Sequence, residues 1–508
     1  MLPPMMDGWR KSPKALAVMV TIAMGLSLLA GLSGCGNEES PLRYVIEAVR
    51  GDPYALSGAG TEELGRFNAV YSQYAVRQSG DKQLNHFRDA FKLARAKYVS
   101  EISDAKLIDA AIKGVNELKA EPHSLQPPVL VEAALDAMMA SLDPHSRYLN
   151  PDELRETQLA TKGEFGGLGI EVTLEDETLK VIAPIEDTPA FAAGIKAKDT
   201  ITHLDGDPIK GKTLTYAVGR MRGKPGSEIR LTIAREGASP FDVTIIRAVI
   251  KVKSVRWQTE GNVGYIRVTG FNENVEINVE KAMADISLKT GARLKGIVLD
   301  LRNNPGGLLM ESVALSDLFL DKGRIVSVLG RGGPESDRVY TARSGDLASG
   351  LPMVVLIDGG SASASEIVAG ALQDHRRATV MGRRSFGKGS VQTITPLSME
   401  GALKLTTQLY YSPSGRAIQA RGVEPDILFS VKDEEAAKDG RHEADLAGAL
   451  PAVSASPAHS RIVVDEKECP PVANKNEKAD HQLGCAIALL SAESQEKFLA
   501  SFGARHSM

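Results

Sequence analysis

Residues 353–375 read Met353-Val354-Val355-Leu356-Ile357-Asp358-Gly359-Gly360-Ser361-Ala362-Ser363-Ala364-Ser365-Glu366-Ile367-Val368-Ala369-Gly370-Ala371-Leu372-Gln373-Asp374-His375. The first six form an apolar run closing on aspartate, as a buried strand does, and the part after the serines has helical spacing. Two glycines and three alternating serines hinge them. Such a strand–turn–helix unit belongs to an α/β domain whose strands are largely internal. Ser363 and Glu366 also spell S-x-x-E, a capping box in which the serine oxygen and the glutamate satisfy free N–H groups of the first helical turn. The same serine, at a helix N-terminus where backbone donors favour developing negative charge, is a candidate nucleophile. Read locally, both accounts stand.

Working outward, the unit recurs. Residues 263–271 (VGYIRVTGF) and 296–302 (GIVLDLR) read as strands, and 279–290 (VEKAMADISLKT) and 308–320 (LLMESVALSDLFL) as helices. SVQTITPL (390–397) and ALKLTTQLYY (402–411) are β-rich, so residues 253–430 make one α/β core. Residues 163–252 change period: GLGIEVTLEDETLKVIAPI predicts two strands, EIRLTIAR a third, with helical pieces at Thr188–Gly194 and Leu214–Arg220. Residues 85–162 carry apolar residues at three- and four-residue spacings and predict helices, ended by Leu142-Asp143-Pro144-His145-Ser146. Asp143 and His145 are candidate catalytic groups there, but a helix-closing turn accounts for the Asp-Pro step. Residues 35–84 read as a linker with an N-terminal helical segment, and 431–508 as a C-terminal extension, charged and Pro/Ala/Ser-rich before a helical end.

The chain carries 60 Lys and Arg against 64 Asp and Glu, a formal net charge of −4, which gives no electrostatic case for nucleic acid. Zinc-finger spacing, HExxH and GxGxxG are absent, and neither metal nor cofactor is expected. Arg10, Lys11 and Lys14 precede an apolar run over residues 15–34 that is long enough to span a membrane. It ends in Leu32-Ser33-Gly34-Cys35, which resembles the bacterial lipobox. That implies a signal peptide over 1–34 and a lipid on Cys35, placing the chain in the cell envelope, membrane-anchored and facing the periplasm. Gly36, where aspartate would signal inner-membrane retention, leans toward the outer membrane; an uncleaved anchor is the alternative. Export then makes Cys469 and Cys485, sixteen residues apart, a candidate disulfide, with two buried thiols as the other reading.

Two further turns carry chemistry. Asp300-Leu301-Arg302-Asn303-Asn304-Pro305-Gly306-Gly307 leads into a helix, and its glycines leave N–H groups open to a substrate oxygen. In Ser385-Phe386-Gly387-Lys388-Gly389-Ser390-Val391-Gln392, glycines on both sides let the lysine thread into a cleft. A serine needs a base, and a lysine becomes one when desolvation disfavours its ammonium form. His375 and Asp374 offer a triad alternative, but they lie about three turns along the helix from Ser363.

These three motifs, in this order and spacing, resemble the carboxy-terminal processing (tail-specific) proteases, as does Gly422-Val423-Glu424-Pro425-Asp426 downstream. The resemblance spans about residues 85–430. It implies a crotonase- or Clp-protease-like α/β core, with Ser363 as nucleophile, Lys388 as general base and Gln392 orienting it. The oxyanion donors carry over to the N–H groups of Ala364 and Gly307. If Gln392 touches Lys388, the chain must bend there, because four residues of strand span about 13 Å. Residues 163–252 resemble a PDZ domain, with Gly167-Leu168-Gly169-Ile170 as the loop that takes a peptide's terminal carboxylate. Arg222 falls where the family pattern couples PDZ to protease, although an exposed turn arginine is the simpler account. The implied partners are proteins with free C-terminal tails, and the implied activity is serine endopeptidase. A second copy and an adaptor lipoprotein are further candidate partners, and a non-catalytic or adaptor-dependent PDZ scaffold is the competing class.

Overall fold

The computed structural model describes residue 54 and residues 56–76, 82–175, 177–185, 187–430, 442–453, 461–473, 479–492, 495–501 and 505–507. The signal-like segment 1–34 and Cys35 lie outside the described residues. Among the described residues, no helix is long and apolar enough to cross a membrane.

The N-terminal region is helical, as its spacing predicts: α1 (Gly58–Tyr74), α2 (Lys82–Lys97), α3 (Asp104–Glu117) and α4 (Pro127–Ala140). Ser103 caps α3 through the Lys106 N–H, and two prolines open α4 where N–H groups would be unpaired in any case. Their apolar faces enclose Phe67, Phe87, Phe91, Leu107, Leu130 and Met138. A Cβ on Gly114 would lie 2.4 Å from the Ala137 Cβ, so only glycine lets α3 and α4 approach this closely. After the Asp143 turn, β1 (Arg147–Leu149) leaves the helices to join a sheet of the core, and α5 (Pro151–Thr161) follows with an Asn150–Glu153 capping box.

The next ninety residues fold as β2 (Glu164–Gly167), β3 (Ile170–Glu175), β4 (Thr178–Pro184), α6 (Pro189–Ala192), β5 (Thr200–Leu204), β6 (Asp207–Pro208), α7 (Leu214–Met221), β7 (Glu228–Ala234), β8 (Phe241–Ile246) and β9 (Ala248–Lys251). The main sheet runs β3-β4-β5-β7-β8, leaving β3 at an open edge, while β2 pairs separately with β9.

The core comprises β10 (Val255–Glu260), β11 (Val263–Val268), α8 (Val275–Thr290), β12 (Gly296–Asp300), α9 (Leu309–Asp317), β13 (Gly323–Gly330), β14 (Arg338–Ala342), β15 (Met353–Ile357), α10 (Ala364–Asp374), β16 (Thr379–Gly382), β17 (Ser390–Pro396), β18 (Ala402–Tyr411) and β19 (Ile427–Ser430). Beyond it lie β20 (Arg461–Asp465), α11 (His481–Ser491), α12 (Gln495–Ser501) and β21 (Arg505–Ser507). One sheet runs β10-β11-β12-β15-β16-β19-β20-β21, and its strands from β11 to β20 are parallel. Every residue of β12 and β15 is buried, because helices cover both faces of a parallel sheet. The second sheet runs β1-β18-β13-β14, with β17 paired to β18.

The segment that reads as an extension takes part in this core. Strands β20 and β21 lengthen the parallel sheet, and α11 covers its second face with Leu483, Ala486 and Leu490. Cys469 and Cys485 are joined as a disulfide within that layer.

Candidate active site

Three turns converge at the C-terminal ends of β12, β15 and the loop before β17. The first two are laced by the serines that flank Ser363. Ser361 donates its hydroxyl to the Leu301 carbonyl at 2.8 Å, and Ser365 donates to Asn304 at 2.8 Å. Asp358 accepts the Asn303 N–H at 2.8 Å and the Gly360 N–H at 2.9 Å, so the aspartate that closes the strand fixes both turns. Gly306 is pressed against the serine: a Cβ there would lie 2.9 Å from the Ser363 Cβ and 3.0 Å from the Ala364 nitrogen. Below the first turn, buried Asp300 pairs with Arg302 at 2.7 Å, and Arg302 reaches Asp480 at the start of α11, also at 2.7 Å.

Ser363 has φ +55° and ψ −111°, a conformation that costs a non-glycine residue about 1–3 kcal/mol. Glu366 holds it there by accepting the Ser363 N–H at 2.7 Å, while the Glu366 N–H goes to the Ser363 carbonyl at 2.9 Å. Glu366 therefore fills its place in the capping motif through the Ser363 backbone.

The same carboxylate binds the lysine loop. It accepts the Lys388 N–H at 2.9 Å on the oxygen that holds Ser363, and on its other oxygen the Gly387 N–H and the Ser385 hydroxyl, each at 2.6 Å. Burial pushes the Glu366 carboxyl up to about 7, against the opposing effect of these hydrogen bonds. The Tyr410 hydroxyl spans the same gap, donating to the carbonyls of Ser363 and Lys388. One buried carboxylate and one phenol thus join two turns more than twenty residues apart. Sequence reasoning saw Glu366 only as a cap and did not see Tyr410.

Lys388 is half-buried, and among the described residues no hydrogen bond or ion pair reaches its ammonium. Desolvation lowers its proton affinity, opposed by the charges of Glu443, Asp143 and Glu366. The flanking glycines are required by backbone packing. Gly387 sits at φ +99°, and a Cβ on Gly389 would come within 2.3 Å of the Gln419 nitrogen.

Gln392 differs from expectation. Its amide donates to Ser390 at 3.0 Å and Thr406 at 3.1 Å, not to the lysine. The chain does bend, with a register shift between Val391 and Gln392, but the neighbouring hydroxyls of β17 and β18 capture the amide. Lysine is instead fixed through its backbone. Asp143 is the turn carboxylate it reads as, accepting from His145, Ser146 and Thr406, yet its charge also faces Lys388. His375 and Asp374 stand apart, bound to the Arg324 carbonyl and to Arg416.

The N–H groups of Gly307 and Ala364 have no acceptor among the described residues. The Gly306 N–H, by contrast, is taken by Asn304 at 2.9 Å. Ala364 follows Ser363 and Gly307 follows Gly306, which packs against Ser363; free donors on these two turns are what stabilisation of an oxyanion requires.

In the preceding domain, Gly167 ends β2, Leu168 and Gly169 form the turn, and Ile170 opens the edge strand β3. Gly169 has φ +78° and a Cβ there would meet Thr188 at 2.3 Å, so the turn admits only glycine. Arg222, at the end of α7, stacks 4.9 Å over the Phe165 ring, and among the described residues no hydrogen bond or ion pair links it to the serine or lysine turn.

Comparison with known proteins agrees with this layout. Residues 262–429 match peptidase family S41, and residues 166–244 match the PDZ domain. A carboxy-terminal-processing protease of Bartonella bacilliformis is 50% identical over 353 residues, covering 69% of this chain and 76% of that protein. A probable CtpA-like serine protease of Staphylococcus epidermidis is 37% identical over 303 residues, covering 59% of this chain and 61% of that protein. The solved photosystem II D1 C-terminal processing protease aligns at 29% identity and TM-score 0.46, covering 69% of this chain and 94% of that one.

Proposed function

Because this chain belongs to peptidase family S41, as a serine-type carboxy-terminal processing protease with a PDZ domain, we propose that it cleaves proteins presented by their free C-terminal tails, using Ser363 and Lys388. One observation carries the reading. The backbones of Ser363 and Lys388 share a single oxygen of buried Glu366, and among the described residues no hydrogen bond or ion pair reaches the lysine amine, whose proton affinity desolvation lowers.

The chemistry follows from that arrangement. Lys388 Nζ, neutral at the start, takes the Ser363 Oγ proton as the oxygen attacks the scissile carbonyl. The carbonyl oxygen, now negative, receives the N–H groups of Ala364 and Gly307. The lysine ammonium then returns the proton to the leaving amine, and water releases the acyl group. Gln392 acts on the walls of the lysine pocket through Ser390 and Thr406.

Tail recognition falls to the Gly167–Ile170 turn and to β3, whose open edge accepts an added strand while the turn's N–H groups take the terminal carboxylate. An unfolded reporter with an apolar tail tests this directly. With a free carboxylate it should be cleaved at least about tenfold faster than the same reporter amidated at its C-terminus, since a charge-assisted hydrogen bond is lost. Equal rates for the two would remove the PDZ domain from substrate selection.

The protein is further read as exported and anchored by lipid on Cys35, leaning to the outer membrane, on the strength of Leu32-Ser33-Gly34-Cys35-Gly36. Cells fed a labelled fatty acid should label the wild type and not Cys35→Ala. A wild type that takes up no label would return the segment to an uncleaved anchor.

A further inference from the structure

Glu443 lies outside the S41 match, thirteen residues beyond the end of β19, in a stretch that reads as charged and featureless. The structure puts it beside the lysine loop. Its N–H donates to the Phe386 carbonyl at 3.0 Å, and its buried carboxylate accepts His145 at 2.8 Å and Gln419 at 3.0 Å. Gln419 in turn accepts the Gly389 N–H at 3.0 Å. The loop Phe386–Gly389 is therefore gripped on one side by Glu366 and on the other by Glu443 with Gln419. His145 brings the Asp143 turn of the N-terminal region into the same cluster.

We propose that Glu443 is a positioning residue for the general base, a carboxylate supplied by the C-terminal segment that braces the lysine loop and balances the charge formed there. The inference rests on Lys388 being the base. Burying a carboxylate costs stability, so support of the fold alone gives little reason for this one. Its position beside a desolvated amine does. Burial by itself would make Lys388 so reluctant to hold a proton that it would be a feeble acceptor from serine. A nearby negative charge restores proton affinity and stabilises the ammonium formed as Ser363 attacks.

The charged and titratable groups around the amine are Glu443 on this segment, Asp143 on the N-terminal turn, Glu366 on α10 and Lys404 on β18. Tyr410 lies against Glu366, and His145 against Glu443. Glu443 exerts the largest of the charge effects that favour the lysine ammonium. Its own carboxyl, pushed up by burial, is nonetheless held below the usual range by His145 and Gln419, which favours its charged form.

The test is Glu443→Gln, which preserves shape and an acceptor for both donors while removing the charge. The rate at which a fluorophosphonate labels Ser363 is followed between about pH 5 and about pH 10, a range that brackets a depressed lysine. The rising limb is expected to move toward acid by about one pH unit, and its plateau to fall about tenfold. A limb that stays in place, whatever the plateau does, overturns the proposal and leaves Glu443 a structural brace. If circular dichroism shows that E443Q does not fold, Glu443→Asp carries the test. It retains the charge, so the limb should stay within about 0.3 units of wild type while the plateau falls through poorer reach; a full-unit shift overturns the idea. Lys388→Ala separates the two readings. If it still labels along a rising limb, lysine is not the base. If it is silent while E443Q keeps the wild-type limb, only the role of Glu443 fails.

Discussion

Ser363→Ala is expected to lower reporter cleavage by about 10⁴-fold or more, the scale on which loss of a nucleophile is felt in serine peptidases. The substitution keeps the Cβ against Gly306, the N–H to Glu366 and the carbonyl to Tyr410, so the turn has every contact except the hydroxyl. It therefore separates the two roles that the sequence leaves open. A serine that only capped α10 would, on removal, destabilise the fold by about 1 kcal/mol and leave turnover nearly intact. A nucleophile gives the reverse, an unchanged melting temperature with cleavage and fluorophosphonate labelling both gone. Cleavage by the alanine variant within tenfold of wild type would reject the assignment.

Lys388→Arg should be almost as damaging, with a loss of about 10³–10⁶-fold, although it preserves the positive charge. Arginine does not deprotonate in proteins, so it cannot accept the serine proton. The backbone N–H of residue 388 still reaches Glu366, and a collapse of the loop is not expected. The wild-type pH profile supplies the matching sign. A base works when unprotonated, so kcat/KM rises with pH through the lysine's own titration. Since desolvation lowers that titration from 10.5, with Glu443, Asp143 and Glu366 opposing, the plateau arrives below the pH an exposed lysine would need. An arginine variant with wild-type rates, or a profile still climbing at the ordinary lysine range, would show that another group takes the proton.

Some of this was legible in the chain. The strand–turn–helix of residues 353–375 shows an α/β core, because a strand buried on both faces must be apolar throughout and a glycine hinge must follow it. The glycines around Lys388 and the serines around Ser363 are visible as a local pattern. The partners that require them, Gln419 for Gly389, Leu301 for Ser361 and Asn304 for Ser365, come from other turns, so spacing shows the pattern and not its cause. The helical N-terminal region and the PDZ order of elements are readable because periodicity along the chain marks their buried faces.

Other features had no local signal. Glu366 looks like any N3 glutamate, and only the return of residues 385–388 to the same helix end turns a cap into the joint between the serine and lysine turns. Gln392 was expected on the lysine, but the pairing of β17 with β18 put Thr406 within its reach. Residues 431–508 read as an appendage because their strands are short and separated by polar stretches. Their burial depends on β19 presenting an unpaired parallel edge.

The sequence by itself determined which residue types meet which chemical need: a serine at a helix start, a lysine between glycines, glycines beside a free N–H. Only the tertiary structure decided what surrounds the lysine amine, bringing Asp143, Glu366 and Glu443 to one loop from positions 300 residues apart. The physical reason is that desolvation and Coulomb fields depend on distance through space, which spacing along a chain does not encode beyond a helical turn or a strand pair.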